Sequence, residues 1–227
     1  MKMGSSKPQI FFYFALIHLV IPTAAQNNCG NTVYAIALCS GDASPSECRS
    51  CINESRYDLL QGCPNQKEAI RWAWLKKCLI RYSYKSIFNT LAPDPKSGSY
   101  RVDSALDVEG FYNALRPLLD SLRNRAATGN STHKFALQSG PAPDNQTIYS
   151  LLQCTPDLSE RDCNTCLLSV QAFTSECCGE KQGGIFLAPS CVIRYETYPF
   201  YNPSAESPPP PPPSPPPELR TSTPGMH

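Results

Sequence analysis

The chain has 227 residues, a formal net charge of +1, 12 cysteines and 23 prolines. The near-neutral balance and the lack of any dense basic cluster exclude nucleic acid and anionic membrane surfaces as partners. Once a leader is removed, this length suits two modules of about 80 to 100 residues each, small enough that cross-links are the expected supplement to a modest core.

The first 25 residues carry Lys2 and Lys7, then an apolar run from Ile10 to Ile21, then Thr23-Ala24-Ala25. That is the pattern of a secretory signal peptide cleaved before Gln26, and the run is too short to span a bilayer. All twelve cysteines follow the cut. An even count at repeated spacings in an exported chain argues for disulfides.

Residues 26–90 are read as the first module. Thr32 to Cys39 alternates β-branched, aromatic and aliphatic residues and predicts a strand that ends at Ser40-Gly41-Asp42. A helix follows, with Ser44 as N-cap, Pro45 at its first position and Glu47 completing a capping box; Cys48 and Cys51 then share one face. The strand Cys-Leu-Ile-Arg-Tyr, from Cys78, closes the module. Residues 91–106, with Pro93, Pro95 and Gly98, are the expected linker.

The second module is read over 107–203. Val108 to Ala126 sets Val108, Phe111, Leu115, Leu118, Leu119 and Leu122 at helical spacing, an amphipathic helix that Pro117 is placed to kink. Ser159 and Asp162 repeat the cap of the earlier helix, and the run GGIFLAPSCVIRYETYPFY predicts one or two strands with a bend at Pro189. Residues 204–227 are dominated by proline and form an extended tail; no apolar stretch long enough to cross a membrane follows, so release outside the cell is expected.

The two modules are copies of one another. Cys39-x8-Cys48-x2-Cys51 recurs as Cys154-x8-Cys163-x2-Cys166, 115 residues later, and the register holds to Cys63 and Cys178. Only Gln26, Asn27 and Asn28 precede Cys29, so the first copy has no counterpart to the helix at Val108. A sheet without its covering helix exposes apolar surface, which predicts a weak first module that takes cover from the second module or a partner chain, or misfolds.

Among chemistries, zinc needs four thiolates in tetrahedral reach, and export together with the third cysteine upstream favours bridges. A redox role for Cys48-Arg-Ser-Cys51 needs a βαβ setting that is not evident. His133, alone in the folded region, sits in a polar loop and is read as solvated, and no carboxylate spacing stands out. A non-enzymatic protein without cofactor or metal is expected. Three sequons, at Asn53, Asn130 and Asn145, mark solvent-facing sites for N-linked glycans.

The paired cysteine motifs, PSCVIRYETYPFY and the Pro-rich tail together resemble the plant ginkbilobin-homologous, or stress-antifungal, domain. Tandem copies of that domain form cysteine-rich repeat secretory proteins and the extracellular part of cysteine-rich receptor-like kinases. The resemblance implies an α+β fold of tandem small disulfide-rich modules, each with helices on an antiparallel sheet, the first being N-terminally incomplete. It implies the bridges Cys39–Cys48, Cys51–Cys78 and Cys29–Cys63, then Cys154–Cys163 and Cys166–Cys191. Cys177 and Cys178 depart from the pattern, and a vicinal bridge, free thiols or pairing outside the module stay open.

Some single-domain relatives of that family hold a mannose-type sugar through an Asn, an Arg and a Glu. Here the Glu position is Glu196, but the Arg position is Ile185 and the Asn has no counterpart, so the set is not retained. The aromatic residues Tyr195, Tyr198, Phe200 and Tyr201 are read as sheet core. The expectation is a secreted binding or signalling protein of the plant apoplast, in defence or stress response, recognising an extracellular protein or carbohydrate, with homo- or hetero-association open. The alternatives are a receptor-like kinase ectodomain lacking its membrane and kinase segments, and a mannose-binding antifungal lectin.

Overall fold

A computed structural model describes residues 23–26, 32–73 and 77–202. The expected leader up to residue 22, Cys29 and the expected tail over 204–227 lie outside the described residues. The first sheet and its helix comprise β1 (Thr23–Gln26), whose first three residues fall within the expected leader, and, in module 1, β2 (Thr32–Cys39), α1 (Pro45–Gly62), β3 (Glu68–Ala73) and β4 (Cys78–Ser83). Module 2 contains β5 (Ser97–Tyr100), α2 (Val108–Ala127), β6 (Phe135–Ala142), β7 (Gln146–Cys154), α3 (Glu160–Cys178), β8 (Gly184–Ala188) and β9 (Cys191–Glu196). Both sheets are antiparallel, in the orders β1-β2-β4-β3 and β5-β8-β9-β7-β6.

Local chemistry fixes where the helices begin. At α1 the Glu47 amide donates to Ser44 Oγ (3.3 Å) while the Ser44 amide donates to Glu47 Oε2 (2.8 Å), a closed capping box with Pro45 behind it. Ser159 caps α3 in the same way, accepting from the Asp162 amide at 3.1 Å. Asp107 caps α2 by accepting from the Gly110 amide at 2.8 Å. Helix α2 runs through Pro117 as one element and buries Phe111, Leu115, Leu118, Leu119 and Leu122. Val108, expected in that stripe, is exposed, because it is the first helical residue and precedes the turn that meets the sheet.

The structure also departs from the expected linker. Residues 97–100 within it pair as β5 along the open edge of β8. Backbone pairing and the Lys181 ammonium over the Tyr100 ring (6.0 Å) hold this strand, and Gly98 is required there: a Cβ would sit 2.9 Å from the Phe186 ring.

The two sheets pack back to back, with the helices outside. Leu38 and Leu79 from module 1 share one buried cluster with Leu151, Leu187, Val192 and Tyr201 from module 2. Gln153 spans the same boundary: its Nε2 donates to the Cys39 carbonyl and its Oε1 accepts from the Gly41 amide, both at 2.9 Å. Module 2 therefore covers the rear of the first sheet, while α1 is the helix that packs on its other side among the described residues.

Candidate functional site

The internal repeat allows the two modules to be compared position by position. On the helix side of module 2, Ile148, Ser150, Leu152, Ile193 and Tyr195 are all fully buried beneath α2 and α3. Their counterparts Val33, Ala35, Ala37, Ile80 and Tyr82 are half-buried. These positions stay apolar, and among the described residues no helix corresponding to α2 lies over them. The buried cluster beneath α1 is small: Cys39, Ala43, Cys51, Ala73 and Cys78.

Where that uncovered face meets the end of α1, a groove of about 800 Å³ opens. Val33 and Tyr82 form its floor, Leu60 its helical wall, and Tyr34, Tyr84 and Lys67 its rim. The rim is ordered by its own contacts. Tyr34 stands edge-on to Phe88 at 5.7 Å, the Tyr82 hydroxyl donates to the Gln66 carbonyl at 3.2 Å, and Lys67 and Lys85 place their ammonium groups 5.6 and 5.2 Å from the Tyr84 ring. Aromatic walls beside convergent polar groups are the arrangement that holds a sugar or a peptide. Sequence reading missed this site, because its residues come from three elements and share no motif.

The cysteines sit as follows. Cys39 is bridged to Cys48, Cys51 to Cys78, Cys154 to Cys163 and Cys166 to Cys191, with Cα separations of 5.6, 6.0, 5.7 and 6.0 Å. Each of these bonds ties a helix or its first turn to the strand beneath it. Cys177 and Cys178 form a vicinal bridge at the end of α3. Cys63 carries no bridge among the described residues and lines the groove; its expected partner Cys29 lies outside them.

Glu196 is not at the groove. Its counterpart in module 1 is Ser83, and its carboxyl is enclosed, 6 % exposed, with Oε1 3.6 Å from Arg194 Nε and Oε2 buried without a hydrogen bond. A Cβ on Gly183 would lie 2.2 Å from that oxygen, so the Gly183 backbone closes over the acid. Burial pushes its pKa up, against the opposing pull of Arg194. Glu196 thus ends strand β9 and is buried there. Ile185, at the Arg position of the sugar set, faces the cluster between the sheets.

The aromatic tail of module 2 divides. Tyr195 and Tyr201 are buried and Phe200 is half-buried beneath the Arg194 guanidinium (4.0 Å), whereas Tyr198, expected in the core, is exposed because it lies past the end of β9 with Arg101 over its ring. His133 is exposed, its Nδ1 2.9 Å from Thr132 Oγ1. Asn53, Asn130 and Asn145 are all exposed. Asn145 stands on the β6–β7 turn, where Asp144 and Asn145 both take positive φ.

Comparison with known proteins gives a consistent result. The family model described as "Salt stress response/antifungal" matches residues 16–85 and 99–198. Cysteine-rich receptor-like protein kinase 27 of Arabidopsis thaliana is 43 % identical over 176 residues, 77 % of this chain and 27 % of that protein. The chain thus spans about a quarter of the length of the kinase relatives it matches. Cysteine-rich repeat secretory protein 38 of the same plant is 36 % identical over 177 residues, 78 % of this chain and 69 % of that protein. In structure, the chain resembles the tandem DUF26 ectodomain of the Arabidopsis thaliana cysteine-rich receptor-like protein PDLP8, with a TM-score of 0.64 at 21 % identity over 78 % of this chain and 80 % of that one. No helix of the described residues is long and apolar enough to cross a membrane.

Proposed function

The chain belongs to the salt stress response/antifungal family in tandem form, and from that premise we propose that it is a secreted, non-enzymatic binding protein of the plant apoplast acting in defence or stress response. The observation that carries this reading is the open groove on module 1, an aromatic-rimmed concavity of a size that takes an oligosaccharide or a peptide segment. The bridges suit an oxidising compartment, and the three exposed sequons suit a glycoprotein. Cys29–Cys63 completes the bridge set in this proposal and ties the strand entering the groove to the end of α1.

The test is binding of the purified protein to arrays of cell-wall oligosaccharides, fungal oligosaccharides and apoplastic ectodomains, with Tyr84→Ala as control. A ligand retained by the natural chain and weakened about tenfold by Tyr84→Ala, with the disulfide map unchanged, supports the groove. Strong mannose selectivity dependent on Glu196 would instead move the site to module 2. A chain that binds nothing on such arrays, or that binds equally without Tyr84, refutes the reading.

A second reading, an ectodomain related to the receptor-like kinases, is favoured by the 43 % identity to such a kinase. Sequencing the transcript through its 3′ end decides it: an in-frame apolar run of about 20 residues favours the receptor, and a stop codon directly after His227 refutes it.

A further inference from the structure

Helix α1 has two faces of different character. Cys51, Ser55 and Leu59, at i, i+4 and i+8, are its buried side. On the opposite side Asn53, Tyr57 and Leu60 follow one another at i, i+4 and i+7, with Tyr57 57 % and Leu60 62 % exposed. Arg56 sets the Tyr57 ring in place, its guanidinium carbon 4.6 Å from the ring centroid and its Nη2 donating to the hydroxyl at 2.9 Å. A helical side chain leans toward the N-terminus, which brings this ring back over the turn that carries Asn53.

Ser55, beneath the same helix, points the same way. Module 2 fills the matching position with Val170, which is fully buried. Ser55 is buried as deeply, yet its hydroxyl lies against sulfur, 3.5 Å from Cys78 Sγ and 3.9 Å from Cys51 Sγ. Sulfur is a weak partner, so burying this hydroxyl costs solvation that a valine there would not lose. Packing does not call for a serine at this position. The sequon Asn53-Glu54-Ser55 does, because its hydroxyl is read while the chain is still extended, before the helix packs.

We propose that Asn53 carries an N-linked glycan whose two core N-acetylglucosamine residues lie along α1, the first stacked on the Tyr57 ring and the second over Leu60. The inference rests on the reading of the chain as exported, since this modification belongs to the secretory route. The transfer joins Asn53 Nδ2 to the anomeric carbon of a lipid-diphosphate-linked oligosaccharide. The bond from that carbon to the diphosphate oxygen breaks, the lipid diphosphate leaves, and Nδ2 gives up one proton. Tyr57 lies about 6 Å and Leu60 about 10.5 Å along the helix from Asn53, the span of two linked pyranose rings. A pyranose presents an apolar face of axial C–H groups, and a tyrosine ring held by a neighbouring cation is a flat partner for it. The sugars then cover exposed apolar surface on the module with the smaller core, which slows its local opening. Leu60 is also the helical wall of the groove, so the second sugar borders its mouth.

The experiment expresses the full chain in plant cells, maps its glycopeptides by mass spectrometry, and compares glycan proton shifts and amide exchange in the natural chain, Asn53→Gln and Tyr57→Ala. Asn53 should be occupied, and the protons of its first sugar should shift upfield by about 0.2 ppm or more relative to sugars at the other sequons, through the ring current of Tyr57. Tyr57→Ala should abolish that shift with occupancy unchanged. Amides over 45–62 should exchange about threefold faster in Asn53→Gln than in the natural chain. An empty Asn53, unshifted sugar protons, or equal exchange in these two chains overturns the proposal. If Tyr57→Ala does not fold, the shifts in the natural chain decide. A secreted chain with Asn53 bare leaves the proposed function standing, whereas a chain kept in the cytosol with all three sequons bare sinks both.

Discussion

Removing equivalent bridges from the two modules should have unequal effects. Cys51–Cys78 closes 27 residues and Cys166–Cys191 closes 25, so restriction of the unfolded chain gives nearly the same term for each, about 3.5 kcal/mol at 25 °C. What differs is the rest of the core. Three of the five buried residues beneath α1 are themselves bridge cysteines, while α2 and α3 bury Phe111, Leu119, Leu122, Leu167, Val170 and Ile193 together. A module of about 65 residues holds roughly 3 to 10 kcal/mol in all, so loss of one bridge takes module 1 to the edge of unfolding.

We expect the Cys51→Ala/Cys78→Ala double variant to exchange its amides rapidly over 45–62 and 68–83 while 108–127 and 146–196 stay protected. The Cys166→Ala/Cys191→Ala variant should show a lowered unfolding midpoint with cooperativity kept. Peptide-resolved hydrogen exchange along a thermal ramp measures both, and limited proteolysis should nick module 1 first. Equal losses from the two pairs, or opening of module 2 ahead of module 1, would refute the view that module 1 depends on its bridges for want of core.

Gln153→Ala should destabilise the whole chain by about 2–3 kcal/mol in denaturant titrations, because the Cys39 carbonyl and the Gly41 amide lose their partner inside the module boundary. A change below about 0.5 kcal/mol would show that water replaces the amide there. Glu196→Gln tests the enclosed acid. Since burial raises its folded pKa, the folded state prefers the protonated form, and that stabilisation is complete at acid pH and lost as pH rises through the folded value. The variant should match the natural chain near pH 4 and exceed it in stability at pH 8; a difference that does not vary with pH, or one favouring Glu at pH 8, contradicts the assignment.

Much of the local structure was legible because each signal had a single physical source. Ser44, Pro45 and Glu47 announce a helix start through groups that bond within four residues of one another, and the stripe from Phe111 to Leu122 announces one buried helix face. Strand β5 was not legible, since Ser-Gly-Ser-Tyr has neither alternation nor branching and takes its place by backbone pairing to β8. Gln153 gave no warning either: one of several polar residues in its strand, it acquires its role only when Cys39 and Gly41 arrive from the other module. Nothing in the sequence showed that Glu196 would be enclosed, since the backbone of Gly183 closes over it only in the fold. The difference between the two copies ahead of their first cysteines was visible in the repeat, but the groove needed Leu60, Tyr82 and Lys67 to be brought together by the fold.

The shared layer between the sheets has a consequence for how the molecule can work. Because Leu38 and Leu79 interlock with Leu151, Leu187 and Val192, the two halves cannot swing apart without wetting both, and their outer surfaces are held pointing in opposite directions. A contact made on the exposed side of the first half therefore leaves the helical side of the second free to meet something else. Cutting such a chain in the middle would strip the inner surface of each piece.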